Sequence, residues 1–187
     1  MIVFFAWSGA ITIYLMKNDP ALLARRMRAG PRAEKEKTQK IIMLFFMISF
    51  VGVFVVSALD YRFKWSPAPI PVVILGDIAV AMGFFITFLV VKENTFASAT
   101  IEVSDNQRVV SSGLYSIVRH PMYSGGLLIF LGTPLALGSL WGLGLAALSV
   151  IWLIWRLVDE EKFLSKNLPG YDKYRENVRY RLVPYFW

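Results

Sequence analysis

From Ile41 to Leu59 the chain runs without one charged side chain. A helix needs about 20 consecutive apolar residues to cross a bilayer, and this stretch limits the fold more than anything else in the sequence. Four more apolar segments accompany it. Ile2 to Met16 is short, and Ile70 to Val91 is interrupted only by Asp77. Two more lie between Ser124 and Val158, separated near Gly138-Ser139. Composition agrees: 56% of the 187 residues are hydrophobic and 18% charged, against roughly 45–50% and about 25% in a soluble domain. No low-complexity tract argues for disorder.

These segments predict an all-α fold, a polytopic membrane helical bundle of about five transmembrane helices forming a single domain over 1–187. Residues 1–91 are expected to hold three spans and a basic loop. Residues 92–187 are expected to hold a loop, a hairpin of the last two helices and a C-terminal helical tail. The stretch 124–158 is short for two crossings at about 1.5 Å per residue. The hairpin should therefore be tight, barely crossing or partly buried in the bundle. Gly138 and Gly142 have the small-xxx-small spacing that lets backbones approach. The first segment has no basic residues before it and no A-x-A site ahead of Lys17, so a retained helix is expected in place of a signal peptide. In the tail, Pro169-Gly170 predicts a break, Tyr171 to about Val178 a helix, and Pro184 a stop.

Charge gives the orientation. Lys17, Arg25, Arg26, Arg28, Arg32, Lys35, Lys37 and Lys40 follow the first segment, and Arg62 and Lys64 follow the second. Lys92, Arg108 and Arg119 precede the hairpin. Arg156, Lys162, Lys166, Lys173, Arg175, Arg179 and Arg181 close the chain. With five spans, 18 of the 20 basic residues share one side. The positive-inside rule makes that side cytoplasmic, with the N-terminus outside and the C-terminus and active site inside. A net charge of +7 in so apolar a chain reads as a basic membrane face and not as a nucleic-acid site.

Several chemistries are excluded. There is no cysteine and only one histidine, so thiolate nucleophiles and multi-histidine metal sites are out. No G-x-G-x-x-G, P-loop, H-E-x-x-H or G-x-S-x-G occurs. Intramembrane charge is nearly limited to Asp77, where a transporter would show more; Asp77 is expected to be a buried, hydrogen-bonded structural residue.

Three constellations remain. The first is Ser111 to Tyr123, directly before the fourth apolar segment. Pro121 bars His120 from the α region and can open the next helix. Arg119 and His120 should then sit in an extended elbow with free backbone donors just after it. The second is Arg156 with Asp159, Glu160 and Glu161. Arg156 and Glu160 are four apart and share a helix face, in a helix expected to run on to about Lys166. The third is Tyr171, Tyr174, Tyr180, Arg181 and Pro184, which suits an amphipathic tail at the headgroups.

In order and spacing, Gly113-x-Tyr115-x3-Arg119-His120-Pro121-x-Tyr123, an apolar Gly-rich hairpin, Glu160-Glu161-x2-Leu164 and Tyr171-x2-Tyr174 resemble the isoprenylcysteine carboxyl methyltransferase family. The wider group includes membrane phospholipid N-methyltransferases. The likeness covers about residues 92–187. It implies an integral membrane enzyme that uses S-adenosylmethionine and releases S-adenosylhomocysteine. By resemblance, Gln107, Val109, Val110, Tyr115, His120, Pro121, Met122 and Tyr123 would line the cofactor pocket. Glu160 would hold the cofactor's ammonium group, and Arg156 would face the substrate carboxylate. The catalytic candidates are thus Arg156, Glu160 and Arg119, with Arg119 or His120 available to the cofactor's carboxylate or adenine edge.

Chemistry is consistent with these roles. Tyrosine rings can face a sulfonium or an adenine, and a carboxylate accepts charge-assisted bonds from an ammonium. Methyl transfer to an ionised carboxylate needs positioning more than a base. The expected partners are the bilayer and a lipophilic or lipidated acceptor, most simply a carboxylate of the prenylcysteine type. A lipid amine, a thiol, an NADPH-dependent sterol-type reductase and a non-catalytic membrane partner are the alternatives.

Overall fold

A computed structural model describes residues 2–187. Among them are seven α-helices: α1 (Ile2–Asn18), α2 (Pro20–Met27), α3 (Lys37–Phe63), α4 (Ile70–Glu93), α5 (Pro121–Ala136), α6 (Leu140–Asn167) and α7 (Tyr171–Asn177). A 3₁₀ turn spans Gly113–Ser116. The five apolar segments are all helical, but only α3, α4 and α6 are long and apolar enough to cross a membrane. Of the expected five or so membrane helices three are thus long enough for full spans, with α1 shorter. α5 has 16 residues, about 24 Å at a helical rise against a hydrocarbon core of about 30 Å. Its partner α6 does not stop at Val158; it continues to Asn167, well past the apolar stretch.

Residues that would be core in water are exposed along the long helices. Ile48, Val51 and Val55 on α3, Leu75 and Met82 on α4, and Leu148 and Ile151 on α6 are all exposed. An apolar solvent is the environment in which such surfaces are stable. Asp77 is half-buried in the second turn of α4, close to the helix start, and is not the buried residue expected from sequence.

α4 and α5 make the closest approach in the bundle. Gly76 and Gly83 on α4 meet Gly125 and Gly132 on α5, each pair seven residues apart and so on one face. A Cβ on Gly83 would lie 2.5 Å from the Gly125 carbonyl oxygen and 2.7 Å from Ile129 Cγ1. Small residues are what permit this contact where lipid gives no hydrophobic drive between helices. Of the two glycines singled out from sequence, Gly142 does pack tightly, against Ser57 and Pro134. Gly138 instead forms the α5–α6 turn at φ +72°, a conformation that suits glycine.

At the turn end of the bundle Asp60 is buried. It accepts hydrogen bonds from Ser66 N (2.7 Å), Ser66 Oγ (2.5 Å) and Ser139 Oγ (2.6 Å). Ser139 Oγ also accepts from Gly142 N and so caps α6. The loops at the opposite end gather the rest. Arg25 and Arg26 of α2 donate to the carbonyls of Thr95 and Ala97. The residues after α4, the start of α5 and the tail meet there too. The basic segments 17–40, 92–119 and 156–181 therefore lie at one end of the bundle.

Gly83→Ala should lower stability by about 1–3 kcal/mol through overpacking at the α4–α5 contact. Gly126→Ala, where an added Cβ meets nothing within 4 Å, should leave stability unchanged. Thermal unfolding of the two variants in lipid nanodiscs checks this; equal midpoints would rule out a close α4–α5 contact.

Candidate active site

The end that gathers the basic loops encloses an open cleft with about 1060 Å³ between its walls, partly continuous with solvent. Four pieces of chain build it: the irregular stretch after α4, the Tyr115 turn, the first turn of α5, and the last turns of α6 with α7.

Each wall has a local cause. Beyond α4, Asn94 Oδ1 accepts from Phe96 N (2.9 Å) and Asn94 Nδ2 donates to the Tyr115 hydroxyl (2.9 Å). This asparagine turn ends α4 and fixes the Tyr115 side chain. The Tyr174 hydroxyl donates to the Tyr115 carbonyl (2.7 Å), docking the turn on α7. Gln107 faces the cleft, with its Oε1 accepting from Ser104 N (2.9 Å).

Pro121 occupies the first position of α5 and is fully buried under the site without lining the cleft. His120 before it adopts φ −126°, ψ 62°, outside the α region as Pro121 requires. The elbow's own amides are engaged by the tail. Arg119 N donates to Tyr180 O (2.9 Å) and His120 N to Arg181 O (3.0 Å), a short extended pairing with the tail. The next donors, Tyr123 N and Ser124 N, go to His120 O at 3.0 and 3.1 Å.

Glu160 and Glu161 are adjacent in sequence but do different work, because successive helical residues point about 100° apart. Glu161 is buried. It accepts from Arg119 Nε (2.7 Å), His120 Nε2 (3.3 Å) and Arg181 Nε (3.0 Å). Arg119 Nη1 also donates to Val178 O and Arg179 O, both at 3.0 Å. Arg119, a catalytic candidate from sequence, is thus occupied in tying the tail to α5 and α6 and acts as a positioning residue. Glu160 is half-buried and faces the cleft. Its Oε2 accepts from the Tyr123 hydroxyl at 2.5 Å, leaving Oε1 toward the open space.

Arg156, one turn before Glu160, is buried at the same wall. Its Nε donates to the Tyr123 hydroxyl (3.1 Å), Nη1 to Gln39 Oε1 (2.8 Å) and Nη2 to Ala99 O (2.9 Å). It pairs with Glu34 Oε1 at 2.8 Å. Tyr123 therefore links Arg156 and Glu160, and Arg156's ion pair is with the first loop instead of with Glu160.

Of the expected residues, Gln107, Val109, Val110, Tyr115, Arg119, His120, Met122, Tyr123, Arg156 and Glu160 all line this cleft. Sequence reasoning missed Arg26, Glu34 and Gln39. Arg26 lines the cleft and has one protein bond, from Nη1 to Ala97 O at 3.1 Å. Nothing in the periodicity of the basic loop marks these three; Glu34 stands out only as an acid among bases.

Burial pushes the Tyr115 phenol up to about 12, despite the opposing Asn94 bond, and pushes Tyr171 and Tyr174 up as well. All three are neutral hydroxyls at physiological pH, suited to stacking and donation and not to phenolate chemistry. The donor set fits S-adenosylmethionine: a free carboxylate oxygen for an ammonium, neutral tyrosine rings, and apolar Val109, Val110 and Leu164 around them.

The fold is thus a helical bundle with three helices long and apolar enough to cross a membrane and a polar cleft at one end. The sequence model of the phospholipid methyltransferase family matches residues 71–169, more than half of the chain. The chain belongs to that family, a membrane methyltransferase using S-adenosylmethionine. No curated protein matches it. Membership decides for the transferase over the reductase and non-catalytic alternatives. The family match leaves out the first loop and the tail beyond Pro169.

Two outcomes follow. Glu161→Gln removes the carboxylate shared by Arg119, Arg181 and His120 and should cost about 3–5 kcal/mol, as breaking a buried pair does. The tail after Gly170 should become protease-sensitive; an unchanged digestion pattern would deny Glu161 this role. Second, a phenol whose pKa is raised on folding contributes stability that is complete below its unfolded value of about 10 and is lost as pH rises toward about 12. Unfolding midpoints should therefore fall between pH 10 and 12, and Tyr115→Phe should flatten that fall.

Proposed function

We propose that the chain moves the methyl group of S-adenosylmethionine to a lipophilic carboxylate of the prenylcysteine type, at the cytoplasmic face, with the N-terminus on the other side. The observation that carries this is the pairing of Arg156 and Glu160 one turn apart on a single cleft wall, joined by Tyr123. One offers a cation to an acceptor carboxylate and the other an anion to the cofactor's ammonium. The one-sided gathering of basic loops supports the orientation.

The cofactor supplies an activated methyl carbon. The chain's own groups position and exclude. Glu160 Oε1 takes the ammonium through charge-assisted bonds. Arg26, with most of its guanidinium uncommitted, is better situated for the cofactor's carboxylate than Arg119 or His120, which Glu161 engages. Tyr115 and Tyr123 wall the pocket together with Val109, Val110 and Met122. Arg156 would hold the acceptor's carboxylate at the cleft wall, and positioning of this kind can supply much of the rate of a transfer between two bound reactants. A carboxylate arrives ionised, so no general base is required. The acceptor's tail remains in the bilayer beside the exposed apolar faces of the long helices. A second reading, a lipid amine acceptor, is favoured by one observation: Glu34 already neutralises Arg156.

Glu160→Ala should abolish S-adenosylhomocysteine binding by calorimetry while the unfolding midpoint is retained. Arg156→Lys, which keeps the charge but loses the planar fork, should lower kcat/KM for a prenylcysteine carboxylate at least about tenfold, with cofactor affinity kept within about twofold. Methylation of lipid amines in preference to carboxylates by the unaltered protein would replace the first reading with the second.

A further inference from the structure

We propose that Glu34 is a specificity-determining residue for the acceptor: an internal carboxylate that occupies Arg156 until an acceptor carboxylate displaces it. This rests on the reading of Arg156 as the acceptor's partner.

Glu34 lies between α2 and α3, in a stretch that carries Arg28, Arg32, Lys35 and Lys37. Such a loop has every reason to remain in water. Glu36, two residues on, does so, yet the Glu34 side chain is 2% exposed against Arg156 at 9%. The geometry is direct, with Arg156 Nη2 2.8 Å from Glu34 Oε1. Apart from Arg156, Glu34 has one further partner, Ile101 N at a long 3.4 Å. Releasing Glu34 thus breaks one ion pair, in which Glu34 Oε1 accepts no well-aligned hydrogen bond, and one long hydrogen bond, and its basic neighbours can receive it at the surface.

The other ligands of Arg156 do not neutralise it: Gln39, the Ala99 carbonyl and the Tyr123 hydroxyl are all uncharged. The other anions nearby do not touch Arg156: Asp159 is held through Gln39 Nε2 at 3.0 Å, and Glu160 through the Tyr123 hydroxyl at 2.5 Å. Glu34 is therefore the group whose exchange for another carboxylate leaves the buried charge balanced. A carboxylate acceptor swaps anion for anion. A neutral acceptor would leave either the pair closed or Arg156 uncompensated, which a buried site disfavours. The cost to carboxylate acceptors is that only the fraction of molecules with the pair open can bind them.

The test uses full-length protein in nanodiscs, a prenylcysteine analogue with a free carboxylate, and its carboxamide as the neutral probe. Equilibrium affinities are measured for the unaltered protein, Glu34→Gln, Glu34→Asp and the double variant Glu34→Gln/Arg156→Met. S-adenosylhomocysteine binding reports folding, and the double variant removes both charges together, which buried sites tolerate better than removal of one. Glu34→Gln should raise the carboxylate-to-carboxamide affinity ratio about tenfold or more by removing the competitor. Glu34→Asp should raise it less, and the double variant should lose the gain. If Glu34→Gln fails to bind S-adenosylhomocysteine, Glu34→Asp decides the question by the same ratio. An unchanged or lower ratio with carboxylate turnover intact overturns the proposal alone. Absence of both carboxylate binding and carboxylate turnover in the unaltered protein overturns the acceptor reading and this proposal with it.

Discussion

One buried carboxylate holds the cleft end of this protein together. Glu161 sits where the long helix α6 leaves the apolar layer, and three cationic or polar groups from two other segments converge on it. Arg119 and His120 come from the entrance of α5, and Arg181 from the tail. In a low-dielectric surrounding each of these bonds is stronger than in water, and an unpaired member would be costly. The network is therefore close to all-or-none. Once Glu161 is satisfied, the backbone pairing of Arg119 and His120 with Tyr180 and Arg181 follows. Leu182 is then set into the apolar cluster of Leu153 and Leu157. The tail forms a wall of the cleft because a charge inside the bundle requires it there.

The glycine contact between α4 and α5 acts on the same site from the other side. With backbones in contact at Gly83 and Gly125, the end of α4 and the start of α5 are held at a fixed separation. The chain between them, 94–120, has to fold back over that gap, and Asn94, Tyr115 and Tyr174 set its path. The cleft is the space that remains beneath it. Helix packing in the apolar layer thus fixes the distance between polar groups that lie outside that layer.

Much of this was legible in the sequence, and what was not has identifiable physical causes. The apolar runs, the break at Pro169-Gly170, the α7 helix and the Pro121 helix start depend on neighbours in the chain, and all appear where local rules put them. Most cleft residues of 107–123 and 156–160 were also readable, because the motif is contiguous. Local rules do not say which helices touch. Gly76, Gly83, Gly125 and Gly132 carry a seven-residue spacing that has meaning only once α4 is known to face α5, whereas Gly138, chosen on spacing alone, forms a turn. Glu160 was set apart from Glu161 by the resemblance alone, because which of the two faces the cleft depends on the rotation of α6 against α5 and not on periodicity. Glu34, Gln39 and Arg26 were hidden most completely. They reach the site from α2, the loop after it and the first turn of α3, across a sequence distance of more than one hundred residues in the case of Arg156 and Gln39.

The charge balance of the cleft explains why so few residues suffice. Arg119 and Arg181 share the Glu161 carboxylate, and Arg156 pairs with Glu34. These pairings leave the Glu160 carboxylate, with one oxygen engaged by a neutral hydroxyl, and the Arg26 guanidinium, with one bond to a carbonyl. In a site bordered by apolar helices, uncompensated charges of opposite sign are unfavourable unless a ligand brings their complements. An amino-acid zwitterion, such as the methionine end of S-adenosylmethionine, brings both at once. The protein's internal pairs therefore do more than stabilise the fold. Glu160 and Arg26, each bonded only to an uncharged partner, are the cleft groups best placed to meet such a ligand.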